Sequence, residues 1–189
     1  MSTSATAATA TKVVTGKVRL SYCHLFEPHA VEEGQDKKYS VSILIPKSDK
    51  DSLAKIQKAI DAVKKEATDK YGGKLPKNFK MPLRDGDEDR EGDEAYAGHY
   101  FINCSSKQKP QVVDKDLNPI LDQSEVYSGC YGRVSINFYS FDKSGNKGIA
   151  CGLNNVQKLK DGAPLGGGST AEQDFAEAIE MDEDDNDLL

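Results

Sequence analysis

The sequence has 189 residues and a formal net charge of −6, and nine of its 31 acidic residues follow Ala171, in a segment without lysine or arginine. The rest of the chain therefore holds 22 acidic residues against all 25 basic ones, so a mildly basic body precedes a strongly acidic tail, residues 172–189. No apolar run approaches the roughly 18 residues of a membrane span, and the first residues lack the basic and apolar regions of a secretory signal, so we expect a cytoplasmic protein with no membrane partner.

The first third of the chain predicts a flexible arm and two strands. Residues 1–11, rich in Ser, Thr and Ala, are expected to form the arm. In residues 12–26 apolar and polar side chains alternate, which predicts a strand with Tyr22 on its apolar face and Lys17 and Arg19 on the other. The segment KYSVSILIP predicts a second strand that ends at its proline, because proline has no N–H to donate to a sheet.

Helical periodicity follows. Ser48 and Asp51 have the spacing of a capping box, and apolar residues then recur every three to four positions until two consecutive glycines follow Tyr71. The sequence therefore predicts one amphipathic helix from about Asp49 to Tyr71.

Residues 74–95 include LRDGDEDREGDE and lack apolar periodicity, which predicts an exposed loop. Asp85, Asp87 and Asp89 have the spacing of a calcium loop, but Arg90 stands where that loop requires glycine, so we predict no metal site. A metal-dependent nuclease that uses the carboxylates from Asp85 to Glu94 is the enzymatic alternative. It is disfavoured because two-metal catalysis needs carboxylates on rigid elements.

The second half of the chain predicts further strands. YAGHYFINCSSK predicts a strand that carries Phe101 and Lys107 on one face, and KPQVVDKDLNPIL predicts a short hairpin. YSGCYGRVSINFYSF predicts the strongest strand, and the turn in DKSGNKG joins it to IACGLNNVQKL as a second hairpin.

One face of the strongest strand combines aromatic, basic and amide side chains. This combination suits single-stranded nucleic acid, because aromatic rings stack on any base at about 1–3 kcal/mol each while basic groups neutralise phosphates. A core position for Tyr131 and Tyr139, packed under the helix, is the alternative that periodicity leaves open. The predicted nucleic-acid-binding residues, with extensions from neighbouring strands, are Tyr131, Arg133, Asn137, Tyr139, Phe141, Phe101, Lys107, Lys17 and Arg19.

Other chemistry-bearing residues predict no catalytic, cofactor or metal site. The three histidines have no partner at metal-ligand spacing, and GGGST lacks the lysine of a phosphate-binding loop. The four cysteines are widely spaced in strand-like contexts, which predicts reduced, buried thiols.

The C-terminal part predicts a tether and an interaction segment. Residues 161–171 have the composition of a Gly-rich flexible linker, and residues 172–189 form the acidic tail. An acidic tail on such a tether can compete with DNA for the basic body, while its two leucines give a partner protein an apolar anchor. The predicted partner-binding residues are Asp182, Glu183, Asp184, Asp185, Asp187, Leu188 and Leu189.

The segments FINCSSKQKPQVVD, YSGCYGRVSINFYSF and GNKGIACGLNNVQKLKDGAPLGG together resemble a family of phage-encoded single-stranded DNA-binding proteins. The resemblance runs from about Lys12 to Gly168. It implies an OB-fold related to the replication single-strand-binding proteins of lytic phages, with no catalytic activity. Such proteins commonly end in a mobile acidic tail with a hydrophobic terminus, which DEDDNDLL matches.

We therefore expect a mostly β, OB-fold-like β-barrel with one amphipathic α-helix over residues 12–160 and a disordered acidic C-terminal tail. The expected function is sequence-independent binding of single-stranded DNA in replication, recombination or annealing, in the bacterial host cytoplasm if the protein is phage-encoded. Replication or recombination proteins are the expected partners of the tail. A protein-only adaptor whose tail mimics nucleic acid is a second alternative, and the sequence leaves the oligomeric state open, a homodimer included.

Overall fold

The computed structural model describes residues 11–30, 32–165 and 175, and within that part of the chain it contains eight strands and one long helix. The long helix, α1, spans Lys50–Lys70, and a one-turn helix, α2, spans Gly86–Asp89. The strands are β1 Lys12–Val14, β2 Val18–His29, β3 Lys38–Pro46, β4 Arg84–Asp85, β5 His99–Ser106, β6 Gln111–Val113, β7 Tyr131–Lys143 and β8 Asn146–Lys160.

Five of the strands form a closed ring of hydrogen-bonded neighbours in the order β7, β2, β3, β5, β8 and back to β7. All neighbours are antiparallel except β5 and β8, which are parallel. The ring is joined most weakly between β2 and β7 and between β5 and β8, where only short stretches pair. This strand order is that of an OB-fold, so the expected OB-like, mostly β architecture is confirmed.

The core lies inside the ring and follows the strand alternation. Inward side chains of β3 and β7, such as Ile43 and Ile136, are fully buried. They pack against Ile56, Ile60 and Val63 of α1, which recur at helical spacing. Each such aliphatic side chain contributes about 1.5–3 kcal/mol by leaving water. Because α1 contacts β7, β1 and β8, it leaves the opposite side of the ring, formed by β3 and β5, open except where the short helix α2 contacts β5.

The predicted helix from Asp49 to Tyr71 is confirmed, but its cap differs from the prediction. The Asp49 carboxylate, rather than the Ser48 hydroxyl, accepts the hydrogen bond from the N–H of Ser52 at 3.1 Å. At the other end Gly72 adopts a φ of +77°, a left-handed conformation that ends the helix.

The first predicted strand is divided into β1 and β2, and the alternation of inward and outward side chains shifts twice along it. A turn at residues 15–17 separates β1 from β2, and the register of β2 against β3 shifts after Ser21. An inserted residue reverses which face each later side chain occupies. Tyr22, expected on the apolar face, is therefore 54% exposed, and Val14 of β1 is 40% exposed.

The two hairpins end in turns of the expected kind. Ser144 and Gly145 both have positive φ, at +53° and +81°, which is the requirement of a two-residue type I′ turn between β7 and β8. After β6 the chain turns so that Val113 pairs with Pro119, which agrees with the short hairpin predicted there.

The acidic segment, residues 74–95, is largely exposed as predicted, but it folds against β5 rather than forming a loop. β4 pairs with β5, α2 follows, and Tyr96 then packs with its ring edge-on to Phe101 at a centroid distance of 5.1 Å. Tyr96, Phe101 and Leu44 form a second small core outside the ring. Composition missed it because it does not show that Tyr96 folds back on Phe101, five positions later, or that Leu44 of β3 joins them.

The chain after β8 packs on the domain as far as Leu165. The Tyr127 hydroxyl donates to the carbonyl of Gly162 at 2.8 Å, and the N–H of Leu165 donates to the carbonyl of Ser128 at 2.8 Å. The structure thus extends the folded domain through the first five residues of the predicted linker. The predicted partner-binding residues of the acidic tail lie outside the described residues.

Candidate nucleic-acid interface

The outward face of β3 and β5 carries small polar side chains. Ser40 lies opposite Ser105, and Ser42 lies opposite Asn103. Directly opposite residues share a face of the sheet, and the flanking Cys104 is buried in the core, so these four side chains point away from it. We call Ser40, Asn103 and Ser105 the floor. Hydroxyl and amide groups on a floor without bulky side chains let an extended polymer approach the backbone closely.

The same surface continues onto β8 and β7. Gly152 of β8 pairs with Ser105 on one side and with Asn137 of β7 on the other. One step along, Ala150 pairs with Tyr139, which is 44% exposed. A strip of small β8 residues therefore connects the floor to the aromatic side chains near the β7–β8 hairpin.

An open cleft of about 530 Å³ lies between the β2–β3 loop and the tip of the β7–β8 hairpin. Its lining includes Ser40 and Ser105 of the floor, and Lys38 and Lys143 on its walls. In OB-folds, oligonucleotides bind on the face of the second and third barrel strands, between the loops that join strands one to two and four to five. The cleft occupies that position here.

The electrostatics of the cleft favour an anion at its edge. Lys107 lies just beyond β5, and its Nζ is 3.8 Å from an Asp36 carboxylate oxygen. Both side chains are about 70% exposed, so this ion pair contributes little stability and the ammonium can exchange it for a phosphate. Lys107 thereby joins Lys38 and Lys143 as a cation beside the floor.

A stacked histidine pair borders the same cleft. The rings of His24 and His29 lie 4.2 Å apart and are almost parallel, with an interplanar angle of 8°. His29 lines the cleft, and His24 pairs with Ser40 of the floor. Partial burial, and then the neighbouring His29, lower the pKa of His24.

The predicted residues on β7 do lie on its outward face, but the structure divides them into two groups. Near the hairpin, Asn137, Tyr139 and Phe141 adjoin the strip that leads to the floor. Tyr131 lies eight residues before Tyr139, roughly 26 Å away along the strand. Neither tyrosine packs in the core under α1, so the core alternative is wrong.

The second group surrounds the ring of Tyr131. The cationic groups of Lys17, Arg19 and Lys160 lie 5.8, 5.6 and 4.9 Å from its centroid. A Cβ on Gly162 would come within 2.7 Å of the ring, so backbone covers part of it. Tyr131 thus organises a basic cluster and offers a base less ring surface than Tyr139 does.

Arg19 of this cluster and the nearby Arg133 each donate hydrogen bonds to backbone carbonyls. Arg19 donates to the carbonyls of Gly129 at 3.1 Å and Ala163 at 2.6 Å, and so fastens the segment that follows β8. Arg133 is exposed, and its Nε donates to the carbonyl of Thr15 at 3.1 Å. Each guanidinium retains further N–H groups that can meet a phosphate.

Phe101 does not extend the surface as expected. It lies on the outward face of β5, but it is only 2% exposed because Tyr96 and Arg84 cover it. A buried ring cannot stack on a base, so the expectation for Phe101 is wrong while the placement of Lys107 on an exposed surface is met.

Several carboxylates of the acidic segment, residues 74–95, form ion pairs with basic side chains. Lys47 contacts Asp85 and Asp87 at 2.9 and 2.7 Å, and Arg84 lies 3.1 Å from Asp89. Within residues 11–30 and 32–165, no three His, Cys, Asp or Glu side chains are grouped so that they could hold a metal ion. Among the described helices, none is long and apolar enough to span a membrane.

Comparison with known proteins places the chain among phage proteins. The family model described as the Enterobacter phage Enc34 ssDNA-binding protein matches residues 11–189. Protein p50 of Acyrthosiphon pisum secondary endosymbiont phage 1 is 34% identical over 184 residues, which cover 92% of this chain and 97% of that relative.

Solved structures agree with this match. The single-stranded DNA-binding protein of bacteriophage Enc34, in complex with ssDNA, is 28% identical with a TM-score of 0.70, over 82% of this chain and 89% of that one. The single-stranded DNA-binding protein gp2.5 of bacteriophage T7 is 16% identical with a TM-score of 0.61, over 89% of this chain and 94% of that one. At that identity the T7 protein supports the fold alone.

Proposed function

The chain belongs to the Enc34 family of phage single-stranded DNA-binding proteins, and from this membership we propose that it binds single-stranded DNA without sequence preference during phage DNA replication, recombination or annealing. It is a binding protein rather than an enzyme, as its family is. Its proposed place of action is the bacterial host cytoplasm, as a monomer or a homodimer.

The observation that carries the proposed site is the cleft between the β2–β3 loop and the β7–β8 hairpin. Its floor is small and polar, and lysines stand on both walls. A DNA backbone along such a cleft meets cations at its edges, while bases can turn toward aromatic rings beside it. Because stacking accepts every base, this chemistry supports binding without sequence preference.

The aromatic group near the hairpin extends the proposed path of the DNA. Tyr139, Phe141 and Asn137 lie on the outward surface that β8 connects to the floor. Arg133 and the cluster of Lys17, Arg19 and Tyr131 lie farther along β7, where they supply positive charge beyond the cleft. We place them at the end of the path, where they neutralise phosphates.

Titration of fluorescein-labelled oligothymidylate, followed by anisotropy at two salt concentrations, tests the function. A binder of this kind gives saturable binding that weakens with salt, by roughly 0.7 of a log–log unit for each phosphate that the protein neutralises. The same samples with Mg²⁺ or Mn²⁺ on a denaturing gel test the nuclease alternative. Absence of binding at low salt contradicts the proposal, and shortened oligonucleotide favours the nuclease.

The proposed role of the tail has two parts: its acids compete with DNA, and Leu188 and Leu189 dock replication or recombination proteins. The position of Leu165 supports the first part, because this residue lines a crevice with Ser21 and Tyr22 on the β2 side of the interface. Glu172 follows only seven residues later, at most about 25 Å of extended chain, so the acids are within reach of the cleft.

Replacing Leu188 and Leu189 with Ala separates the two parts. We expect this double variant to bind oligothymidylate like the parent and to lose co-purification with a phage or host polymerase, helicase-primase or recombinase. Retention of every partner that the parent retains contradicts docking by the leucines and leaves the DNA-binding proposal intact.

A further inference from the structure

The Tyr22 side chain projects from the sheet, and the Tyr22 backbone has a strained conformation. Two residues of β2, Tyr22 and Cys23, oppose one residue of β3 at this point, because Ser21 pairs with Ser42 while His24 pairs with Ser40. Within the resulting bulge Tyr22 has a φ of +49° and is 54% exposed. A left-handed backbone is strained for a non-glycine residue, and bulges often redirect a side chain beside a binding site.

Arg90 holds the tyrosine in this position. Its Nη2 donates to the Tyr22 hydroxyl at 2.8 Å, and its guanidinium carbon lies 5.5 Å from the centre of the Tyr22 ring. The same guanidinium lies 4.4 Å from the centre of the Tyr96 ring and forms an ion pair with Asp93 at 3.0 Å. Arg90 therefore packs against both rings and links them.

Tyr96, the buried ring that Arg90 contacts, is held in place by its surroundings. Tyr96 is 2% exposed, its hydroxyl donates to Ser21 at 3.3 Å, and its ring meets Phe101 edge-on. Tyr22 is thus connected through Arg90 to the small core that the acidic segment builds on the outside of the ring. A ring fixed in this way loses little conformational freedom when a ligand stacks on it.

The exposed side of Tyr22 opens onto the interface. It borders a crevice of about 450 Å³ that is also lined by His24, Tyr127 and Leu165. Through His24 this crevice adjoins Ser40 of the floor. The crevice combines aromatic and apolar walls with an imidazole, which suits a planar, uncharged group at the end of a polyanion.

We propose that Tyr22 is a base-stacking residue for single-stranded DNA and that Arg90 is its positioning residue. The inference rests on the proposed function and adds a subsite on the β2 side of the floor, opposite the hairpin that carries Tyr139. It also gives the acidic segment a role, since that segment supplies Arg90 and directly precedes Tyr96.

The absence of tryptophan from the sequence makes a direct test possible, because Tyr22→Trp introduces a single indole. We expect oligothymidylate to quench the fluorescence of this variant, as a base stacks on the indole. Leu121→Trp is the matched control: Leu121 is 89% exposed, does not line the cleft, and its variant should show no quenching. Anisotropy of labelled oligothymidylate in the same cuvettes reports total binding independently.

Affinities of three further variants complete the test. Tyr22→Ala should lose roughly 5- to 150-fold in affinity, the equivalent of one stacked base. Tyr22→Phe keeps the ring and should remain within about threefold of the parent, since it removes only the hydrogen bond of the hydroxyl. Arg90→Ala should fall between them, and introduced together with Tyr22→Trp it should weaken the quenching.

The outcomes distinguish the two proposals. If labelled oligothymidylate binds but the Tyr22→Trp variant is not quenched, or if folded Tyr22→Ala binds as tightly as the parent, the stacking inference is overturned and the proposed function stands. If the parent does not bind at all, the function itself fails and the inference falls with it. Should Tyr22→Ala not fold, as judged by circular dichroism, the quenching comparison decides alone.

Discussion

Lys47, directly after β3, holds Asp85 at the start of α2: its Nζ lies 2.9 Å from the Asp85 carboxylate, and it also reaches Asp87 at 2.7 Å. Asp87 further accepts the N–H of Gly98 at 3.0 Å. The hydrogen bond from Lys47, and then the one from Gly98, lower the pKa of Asp87. These carboxylates therefore fasten the acidic segment to the sheet.

Replacing Asp85, Asp87 and Asp89 with Asn should accordingly leave single-stranded DNA binding intact or slightly tighter, because the change removes charge that repels phosphate. We expect the free energy of unfolding to fall, since the variant cannot form the ion pairs with Lys47 and Arg84. Anisotropy and thermal melts measure the two effects. Mg²⁺-dependent cleavage by the parent that disappears in this triple variant would revive the nuclease alternative.

Lys38 and Lys143 both line the cleft, one on β3 and one at the end of β7. Replacing both with Ala should weaken oligothymidylate binding and flatten its salt dependence by roughly 0.7 of a log–log unit for each phosphate that is no longer neutralised. Replacing Lys55 and Lys58 removes the same charge from exposed positions of α1, a helix that packs against β1, β7 and β8. An equal fall in affinity for this control pair would mean that only net charge matters.

Tyr139 and Phe138 are adjacent on β7 but point to opposite sides, since Tyr139 is 44% exposed and Phe138 is 2% exposed. Tyr139→Ala should therefore cost about 1–3 kcal/mol in DNA affinity with little change in stability. Phe138→Ala should cost about 3–5 kcal/mol in the free energy of unfolding, because it leaves a cavity in the core. Chemical denaturation beside DNA titration separates the two effects, and a Tyr139→Ala variant that binds like the parent contradicts the proposed path.

Alternation along β7 was enough to predict which of these two neighbours is outward, because the strand is regular from Tyr131 to the hairpin. The bulge at Tyr22 could not be predicted, since SYCHLF has no glycine to mark it and Arg90, which contacts Tyr22 there, lies 68 positions away. The burial of Phe101 likewise depends on Tyr96 and Arg84, which local periodicity does not place. Lys38 and Lys143 become neighbours only when the ring closes, although they lie 105 positions apart in the chain. The inward or outward position of side chains along a regular strand was therefore predictable. The parts of the site that distant segments build together were not.

His24 gives the protein a pH dependence of opposite sign in stability and in binding. Its pKa is lowered in the folded protein, so between that value and its ordinary one, about 6.5, the unfolded chain binds more protons. Stability should therefore fall as the pH drops through about 6.5. DNA phosphates beside the stacked histidines favour the charged imidazole, so affinity should instead rise over the same range. Of the other charged groups in the cleft, Lys38 and Lys143 disfavour protonation of the imidazole and Asp36 favours it.

Melting curves and anisotropy titrations at about pH 7.5 and about pH 5.5 measure both effects, with His24→Gln as the control that cannot titrate. The variant should lose part of the pH dependence in each measurement. If His24→Gln keeps the full increase in affinity at low pH, the protonation that matters is elsewhere.

The last prediction concerns the acidic tail, whose removal after Gly168 takes away nine acidic residues and no basic ones and changes the net charge from −6 to +3. Leu165, seven residues before the tail, packs between Ser128 and the second small core beside Tyr22, and a tether of this length would raise the local concentration of the tail's acids near the body. Truncation should therefore raise the affinity for oligothymidylate, most at low salt, where electrostatic attraction between tail and body acts over the longest distance. A full-length variant with those nine acids changed to Asn or Gln keeps the tail's length and removes its charge, so it should match the truncation. If the charge-neutral tail behaves like the parent, exclusion by chain volume rather than charge accounts for any gain. If truncation leaves affinity unchanged or lowers it at low salt, the tail does not compete with DNA.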